Sequence, residues 1–318
     1  MSTHGKLLVF AGSGSGKFTS AICKNLKVRP GRCETTFFSE GNTFVRVGEN
    51  VRGRDVYFVQ SLSYPVNDHF MEILFFIDAF KRASANSVTA VIPFFGYGKG
   101  DKKDEPRVSI RARVCADCLE AAGVDRIVTM DLHAPQIQGF FRVPVDHLYA
   151  LPVIAAHYKR KMRQPDDWVV VAPDVGAAGM ANAYAKFFGA KTVIAEKTRE
   201  GHREKAFVNR IIGHVKGKHA LIVDDFTITG GTLIATAERL KKEGARDIFA
   251  AVAHGVMSEG STAKVDASPI KELVITDTLE YRFEPLSKRV KVISAAPLFA
   301  RAIRNIHQQT SVSGLFEQ

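Results

Sequence analysis

The sequence predicts an α/β protein made of two tandem, duplicated domains with mainly parallel sheets, and three observations carry that expectation. Short β-branched runs bounded by turn residues alternate with longer helical patterns along the whole chain. Two stretches, "RDVYFVQSLSYPVNDHFMEILFFIDAFKRASANSVTAVIPFFGYG" and "KHALIVDDFTITGGTLIATAERLKKEGARDIFAAVAHGV", share one plan of strand, loop, helix, turn and strand at similar length. The 318 residues, 46% of them hydrophobic, are enough for two ordinary domains.

Taken in order, the first notable segment is "FAGSGSGKFTS", Phe10 to Ser20. It nearly spells a P-loop, in which glycine amides cradle phosphates, a lysine reaches the outer phosphates and a hydroxyl binds magnesium. Gly16 and Lys17 fit, but Ala11 stands at the first glycine and Phe18 at the hydroxyl position. The strand candidates that follow are "DVYFVQS", "VTAVIPFFG", "DRIVTMDLH", "WVVVAPDVG", "KTVIAEK", "HALIVDDF", "DIFAAVAHG" and "ELVITDT". Helical patterns fill most gaps, as in "NDHFMEILFFIDAFKRASA" and in "GTLIATAERLKKEG", where Leu233, Ala237 and Leu240 share one face and Gly244 ends the run. Apolar "FFIDAF" serves either a core or an interface. The weakest patterning between the halves is "AAHYKRKMRQPDDW".

Composition narrows the function classes. No apolar run approaches the ~20 residues of a membrane span, and "MSTHGKLLVF" has no signal-peptide character, so the cytoplasm is the expected location. Forty-four Lys and Arg against 33 Asp and Glu give a net charge of +11, which implies anionic partners. Acidic residues interrupt the modest basic cluster "GKGDKKDEPRVSIRAR", and aromatic stacking platforms are not evident. Small polyphosphates are therefore expected rather than nucleic acid. Of four cysteines, Cys115 and Cys118 form a CxxC inside a helical pattern with no second ligand pair. They read as ordinary helix residues.

The strongest chemical signal is "ALIVDDFTITGGTLIATAERL". An apolar strand delivers Asp224 and Asp225 to its carboxyl end, the edge at which open α/β sheets bind ligands. A Thr- and Gly-rich loop then runs into a helix. Amides of Thr229, Gly230, Gly231 and Thr232 are placed to wrap a phosphate at that helix N-terminus, with the two carboxylates near enough to accept sugar hydroxyls. A tight turn with a threonine cap is the plainer explanation of TGGT alone. The apolar strand ending in paired aspartates argues against it.

This segment resembles the ribose-phosphate-binding loop of the type I phosphoribosyltransferase fold. "IPFFGYGKGDKKDEPRVSIRARVCADCLEAAGVDRIVTMDLHAPQIQGFF", "VAPDVG", "ELVITDT" and the tail "KVISAAPLFARAIRNIHQQTSVSGLF" extend the resemblance, in order and over nearly the whole chain, to the ribose-phosphate pyrophosphokinases, also called phosphoribosyl pyrophosphate synthetases. The resemblance implies two phosphoribosyltransferase-like domains, an ATP-side domain at 1–150 and a ribose 5-phosphate-side domain at 151–295. A terminal helix and tail at 296–318 would pack on the first domain. It implies transfer of the β,γ-diphosphoryl group of ATP to the 1-hydroxyl of ribose 5-phosphate, with Mg2+ as cofactor, in a dimer-based homo-oligomer that extends to hexamers.

Site residues are carried over by position. Lys197 and Arg199 in "VIAEKTREGHRE" correspond to a basic pair on a flexible catalytic loop. His133 is assigned to ATP and magnesium, and Asp174 to magnesium and the pentose. Asp224, Asp225, Thr229, Gly230, Gly231 and Thr232 take ribose 5-phosphate. Phe38, Glu40, Asn42, Lys99, Gly100 and Asp101 take ATP, and here the chain departs from the family pattern. Glu40 and Asn42 replace an aspartate and a glutamate, Lys99 and Gly100 an Arg-Gln pair, and Ile228 an aspartate before the threonine. The alternative is a non-catalytic regulatory subunit resembling synthetase-associated proteins, against which the uninterrupted Lys197–Arg199 segment argues. By the same positional match, "FAGSGSGKFTS" becomes a first strand, a turn and a helix start, with Lys17 facing solvent.

Overall fold

The structure, a computed structural model, describes residues 5–198, 207–281 and 285–315. The chain divides into two compact units: residues up to 149 with 278–280 and those from 295 onward, and residues 150–277 with 281–294. The junction lies at the start of a helix and not in the weakly patterned 155–168 stretch, whose first residues are helical.

The first unit contains β1 (Leu7–Ala11), α1 (Gly16–Leu26), β2 (Cys33–Phe37), β3 (Thr43–Val47), β4 (Asp55–Val59), α2 (Val66–Arg82), β5 (Ser87–Ile92), α3 (Arg111–Ala121), β6 (Arg126–Met130) and β7 (Val145–Leu148). The second contains α4 (Leu151–Tyr158), β8 (Trp168–Ala172), α5 (Ala178–Phe188), β9 (Lys191–Thr198), β10 (Phe207–Ile212), β11 (His219–Thr227), α6 (Gly231–Lys242), β12 (Ile248–Gly255), α7 (Ser261–Asp266), β13 (Ile270–Thr276) and β14 (Val290–Ile293). The chain then returns to the first unit as α8 (Ala296–His307).

Duplication is written into the sheets. The first runs β1-β4-β5-β6-β7, all parallel. The second has the equivalent parallel series β8-β11-β12-β13-β14. Each unit inserts two antiparallel strands between its first and second core strands. In the first they form the separate hairpin β2–β3; in the second, β9 pairs parallel with β8 and carries antiparallel β10 at the edge. The core strands read as continuous apolar runs because both faces of a parallel sheet are covered. All five residues of β4 and of β8 are buried.

Helical spacing fills the layers. Ile73, Phe76, Ile77 and Phe80 of α2 are fully buried, with Phe58 and Phe76 centroids 4.6 Å apart and Phe10 and Phe80 4.9 Å apart. "FFIDAF" is thus mostly core, leaving only Phe75 substantially exposed. In the second unit Leu233, Ala237 and Leu240 of α6 are buried. Cys115 is buried and Cys118 half-buried on α3, and burial pushes the Cys115 thiol up to about 12, as an inert structural cysteine requires. Among the described residues no helix is long and apolar enough to cross a membrane.

Candidate active site

Strand β11 pairs with β8 only from His219 to Ile222, while its ladder with β12 continues to Thr227. Asp224 and Asp225 therefore lie inside β11 but beyond the end of β8. The aspartates precede the end of the strand by a few residues, because pairing with β12 holds the backbone extended to Thr227. The next turn off β8 supplies Asp174, whose Oδ1 accepts the Ala177 N–H at 3.2 Å ahead of α5. Burial, then the neighbouring Asp225 and Asp174 carboxylates, push the Asp224 carboxyl well above the usual carboxylate range. Asp224 thus shares a proton-mediated contact with Asp225 and feels the charge of Asp174 across the same sheet edge.

From β11 the chain turns into α6 through Thr227–Gly230. Gly230 sits at φ 78°, a left-handed conformation that a side chain disfavours. Its N–H is held by Thr227 Oγ1 at 3.1 Å, and the Gly231 N–H by Thr229 Oγ1 at 3.3 Å. The loop's other flank is anchored by the Val256 and Ser258 amides on the Thr227 and Ile228 carbonyls. Ile228 itself is 42% exposed. The amides are gathered at the N-terminus of a twelve-residue helix, where the dipole favours an anion. Sequence reading singled out Thr229 and missed Thr227; its signal is a hydroxyl three residues before a glycine, which closes the turn.

In the first unit the corresponding edge lies past β5 and β6. Gly98–Gly100 form a short 3-10 turn closed by Gly98 N–H to the Phe95 carbonyl and Gly100 N–H to the Tyr97 carbonyl. A Cβ placed on Gly98 would lie 3.5 Å from His133 Cβ, so the turn and the exposed histidine after β6 are neighbours. Lys99 is exposed, and Asp101 follows the turn. Phe38, Glu40 and Asn42 occupy the exposed tip of the β2–β3 hairpin. The Phe38 ring meets Phe44 at 6.4 Å and its amide meets the Asn42 carbonyl. The described contacts of Phe38 and Asn42 are thus within the hairpin itself. Lys197 belongs to β9, paired with Val208, and so lies in a strand and not on a loop. Arg199 lies outside the described residues.

Among the described residues no three His, Cys, Asp or Glu side chains are arranged to enclose a metal ion. Magnesium is commonly held by one or two carboxylates plus substrate phosphates, and the crowded aspartates at the second unit's edge are the kind of donor it takes.

The comparisons with known proteins bear on the whole chain. Residues 7–123 match the profile of the N-terminal domain of ribose phosphate pyrophosphokinase, and residues 198–317 that of the phosphoribosyl synthetase-associated domain. The ribose-phosphate pyrophosphokinase of Caldanaerobacter subterraneus is 46% identical over 310 residues, covering 98% of both chains. That of Rhizobium meliloti is 44% identical, covering 97% of this chain and 99% of its own. The chain belongs to the ribose-phosphate pyrophosphokinase family. The crystal structure of phosphoribosylpyrophosphate synthetase from Mycobacterium smegmatis superposes with a TM-score of 0.90 at 37% identity, covering 96% of this chain and 99% of that one.

Within a ribose-phosphate pyrophosphokinase the glycine-rich "FAGSGSGKFTS" needs its own explanation, and the geometry supplies one. The amides that would hold a phosphate are occupied by the protein's own side chains. Buried Glu72 accepts the Ser13 N–H at 3.0 Å and the Ser13 hydroxyl at 2.7 Å, the Thr35 hydroxyl at 2.5 Å and the Gln60 amide at 2.7 Å. Gln60 Oε1 in turn accepts the Gly14 N–H at 3.1 Å. The Lys17 N–H, at the start of α1, donates to Glu280 at 2.6 Å. Lys17 is exposed, as expected.

Proposed function

We propose that this ribose-phosphate pyrophosphokinase family member transfers the β,γ-diphosphoryl group of ATP to the 1-hydroxyl of ribose 5-phosphate, giving phosphoribosyl pyrophosphate and AMP. The observation that carries the reading is the Asp224–Asp225 strand leading into the Thr227–Gly231 loop at the head of α6. It joins a phosphate cradle to sugar-hydroxyl acceptors in one continuous segment.

In this reading the amides of Thr229, Gly230, Gly231 and Thr232 bind the 5-phosphate, displacing the threonine hydroxyls that hold two of them. Asp224 and Asp225 accept hydrogen bonds from ribose hydroxyls and orient the anomeric oxygen. Phe38, Glu40, Asn42, Lys99, Gly100, Asp101 and His133 serve the nucleotide. The anomeric oxygen forms a bond to the β-phosphorus, the bond from that phosphorus to the α,β-bridging oxygen breaks, AMP leaves, and the hydroxyl proton passes to solvent. Lys197 and Arg199 stabilise charge on the transferring group, which is where such reactions gain most. His133 would serve as a ligand to one magnesium ion and Asp174 to a second, each completed by phosphate oxygens, and the ions would supply neutralisation of the polyphosphate. The protein acts in the cytoplasm as a dimer-based homo-oligomer, with small phosphate substrates and neither nucleic acid nor membrane as partner.

The test is formation of AMP and phosphoribosyl pyrophosphate that requires both ribose 5-phosphate and Mg2+. Lys197→Ala should lower kcat by ~10²-fold or more with an unchanged melting temperature; an unaltered rate removes its role. The second reading is a regulatory subunit resembling synthetase-associated proteins. It predicts no product from any of several nucleotide donors, together with binding to an active synthetase.

A further inference from the structure

The turn at Gly98–Gly100 has a neighbour that sequence spacing does not reveal. A Cβ built on Gly100 would lie 2.6 Å from Arg111 Nε and 2.8 Å from Arg111 Cβ. The exposed side chain of Arg111, the first residue of α3, therefore occupies the space over Gly100, the residue that follows exposed Lys99. Among the described residues no carboxylate or carbonyl pairs with this guanidinium. Arg113, two residues on, is tied to Asp117 at 2.7 Å and to the Phe140 carbonyl at 3.0 Å. Nor does Arg111 stabilise its helix, since a cation at the N-terminus opposes the dipole and the first turn of α3 has no acidic residue.

We propose that Arg111 is a nucleotide-phosphate ligand: its guanidinium, laid over Gly100 beside Lys99, recognises the polyphosphate of the donor. This rests on the reading above that the 98–101 turn faces the nucleotide. Lys99 offers a compact point charge, whereas a guanidinium offers a planar fork that binds two phosphate oxygens at once. Absence of a side chain at 100 is what makes room for it. Residues 100 and 111 thus act as one unit, with the glycine admitting the arginine.

The experiment measures KM for ATP and for ribose 5-phosphate, and direct binding of a non-hydrolysable ATP analogue, for the wild type and four variants. Arg111→Ala should raise KM for ATP and the analogue Kd about 10- to 100-fold, the usual effect of losing a hydrogen bond to a charged group. KM for ribose 5-phosphate and the melting temperature should not move. Arg111→Lys should recover only part of the loss. Gly100→Ala should weaken ATP binding by displacing the arginine, and Gly100→Ala combined with Arg111→Ala should be no worse than Arg111→Ala alone. A wild type that makes product while Arg111→Ala keeps its ATP KM and analogue Kd within twofold overturns the inference. So does full additivity of the two substitutions. A wild type that forms no product overturns the proposed activity instead, and analogue binding by wild type and Arg111→Ala still decides the role of Arg111.

Discussion

In Asp224 the stability of the fold and the proposed binding of the sugar pull in opposite directions. Its carboxyl is raised because burial and two neighbouring carboxylates disfavour the charge, so the folded protein holds this proton to higher pH than the unfolded chain does. Near pH 2, below the ordinary aspartate value as well as the folded one, both states are protonated and nothing is lost. As pH rises through the folded value, the unfolded chain has already ionised, and stability falls. Asp224→Asn keeps the Oδ1 that accepts the Asp225 N–H at 3.1 Å and removes the repulsion. It should melt with the wild type near pH 2 and a few degrees above it at pH 8, followed by calorimetry across pH, while losing affinity for ribose 5-phosphate. A melting difference that does not grow with pH would show that the charge is not what destabilises the site. The sequence gives the aspartate pair at once. It does not show that Asp174, fifty residues earlier, faces them, because that depends on β8 ending level with Ile222.

Two turn-helix elements look alike in spelling and differ in what fills them. Before α1, the Ser13 and Gly14 amides are taken by Glu72 and Gln60; before α6, the Gly230 and Gly231 amides are held only by threonine hydroxyls, which a phosphate can replace. Lys17→Ala should therefore leave kcat and both KM values within twofold of wild type in a steady-state assay. Glu72→Ala should cost at least ~3 kcal/mol in denaturant unfolding, since its loss strips the acceptor from four donors at ~1–3 kcal/mol each. Gly230→Ala should cost ~1–2 kcal/mol for forcing a left-handed residue and should raise KM for ribose 5-phosphate. The near-match of the first turn to a P-loop was visible in the residues; its occupant was not, because Glu72 arrives from α2, 59 positions away from Ser13.

At the scale of the whole chain, the C-terminal helix closes the first unit. Phe299 of α8 is fully buried and meets Phe18 of α1 edge-on at 5.3 Å, while Arg304 donates to the Asn25 carbonyl at 2.9 Å. Phe299→Ala should cost ~3–5 kcal/mol, read as a drop in the melting transition of the first unit. Limited proteolysis should then cut within residues 5–149 before 150–277. Equal protection of both units in that variant would mean that α8 contributes little to the first.

Apolar runs between turn residues, repeated in one order in each half, were enough to fix an α/β duplication, because both faces of a parallel sheet must be covered and the strands must read as continuous hydrophobics. The proposed phosphate loop was legible for a related reason: strand, paired aspartates, loop and helix are contiguous. The short strands β2, β3, β7, β10 and β14 went unread, being four to six residues long and mostly at edges where burial leaves little pattern. What only the tertiary structure decided involves partners distant in sequence: Glu72 in the glycine-rich turn, Asp174 beside Asp224, Arg111 over Gly100, and α8 on α1. Each depends on where strand ends and helix faces meet in space, which local spacing does not encode.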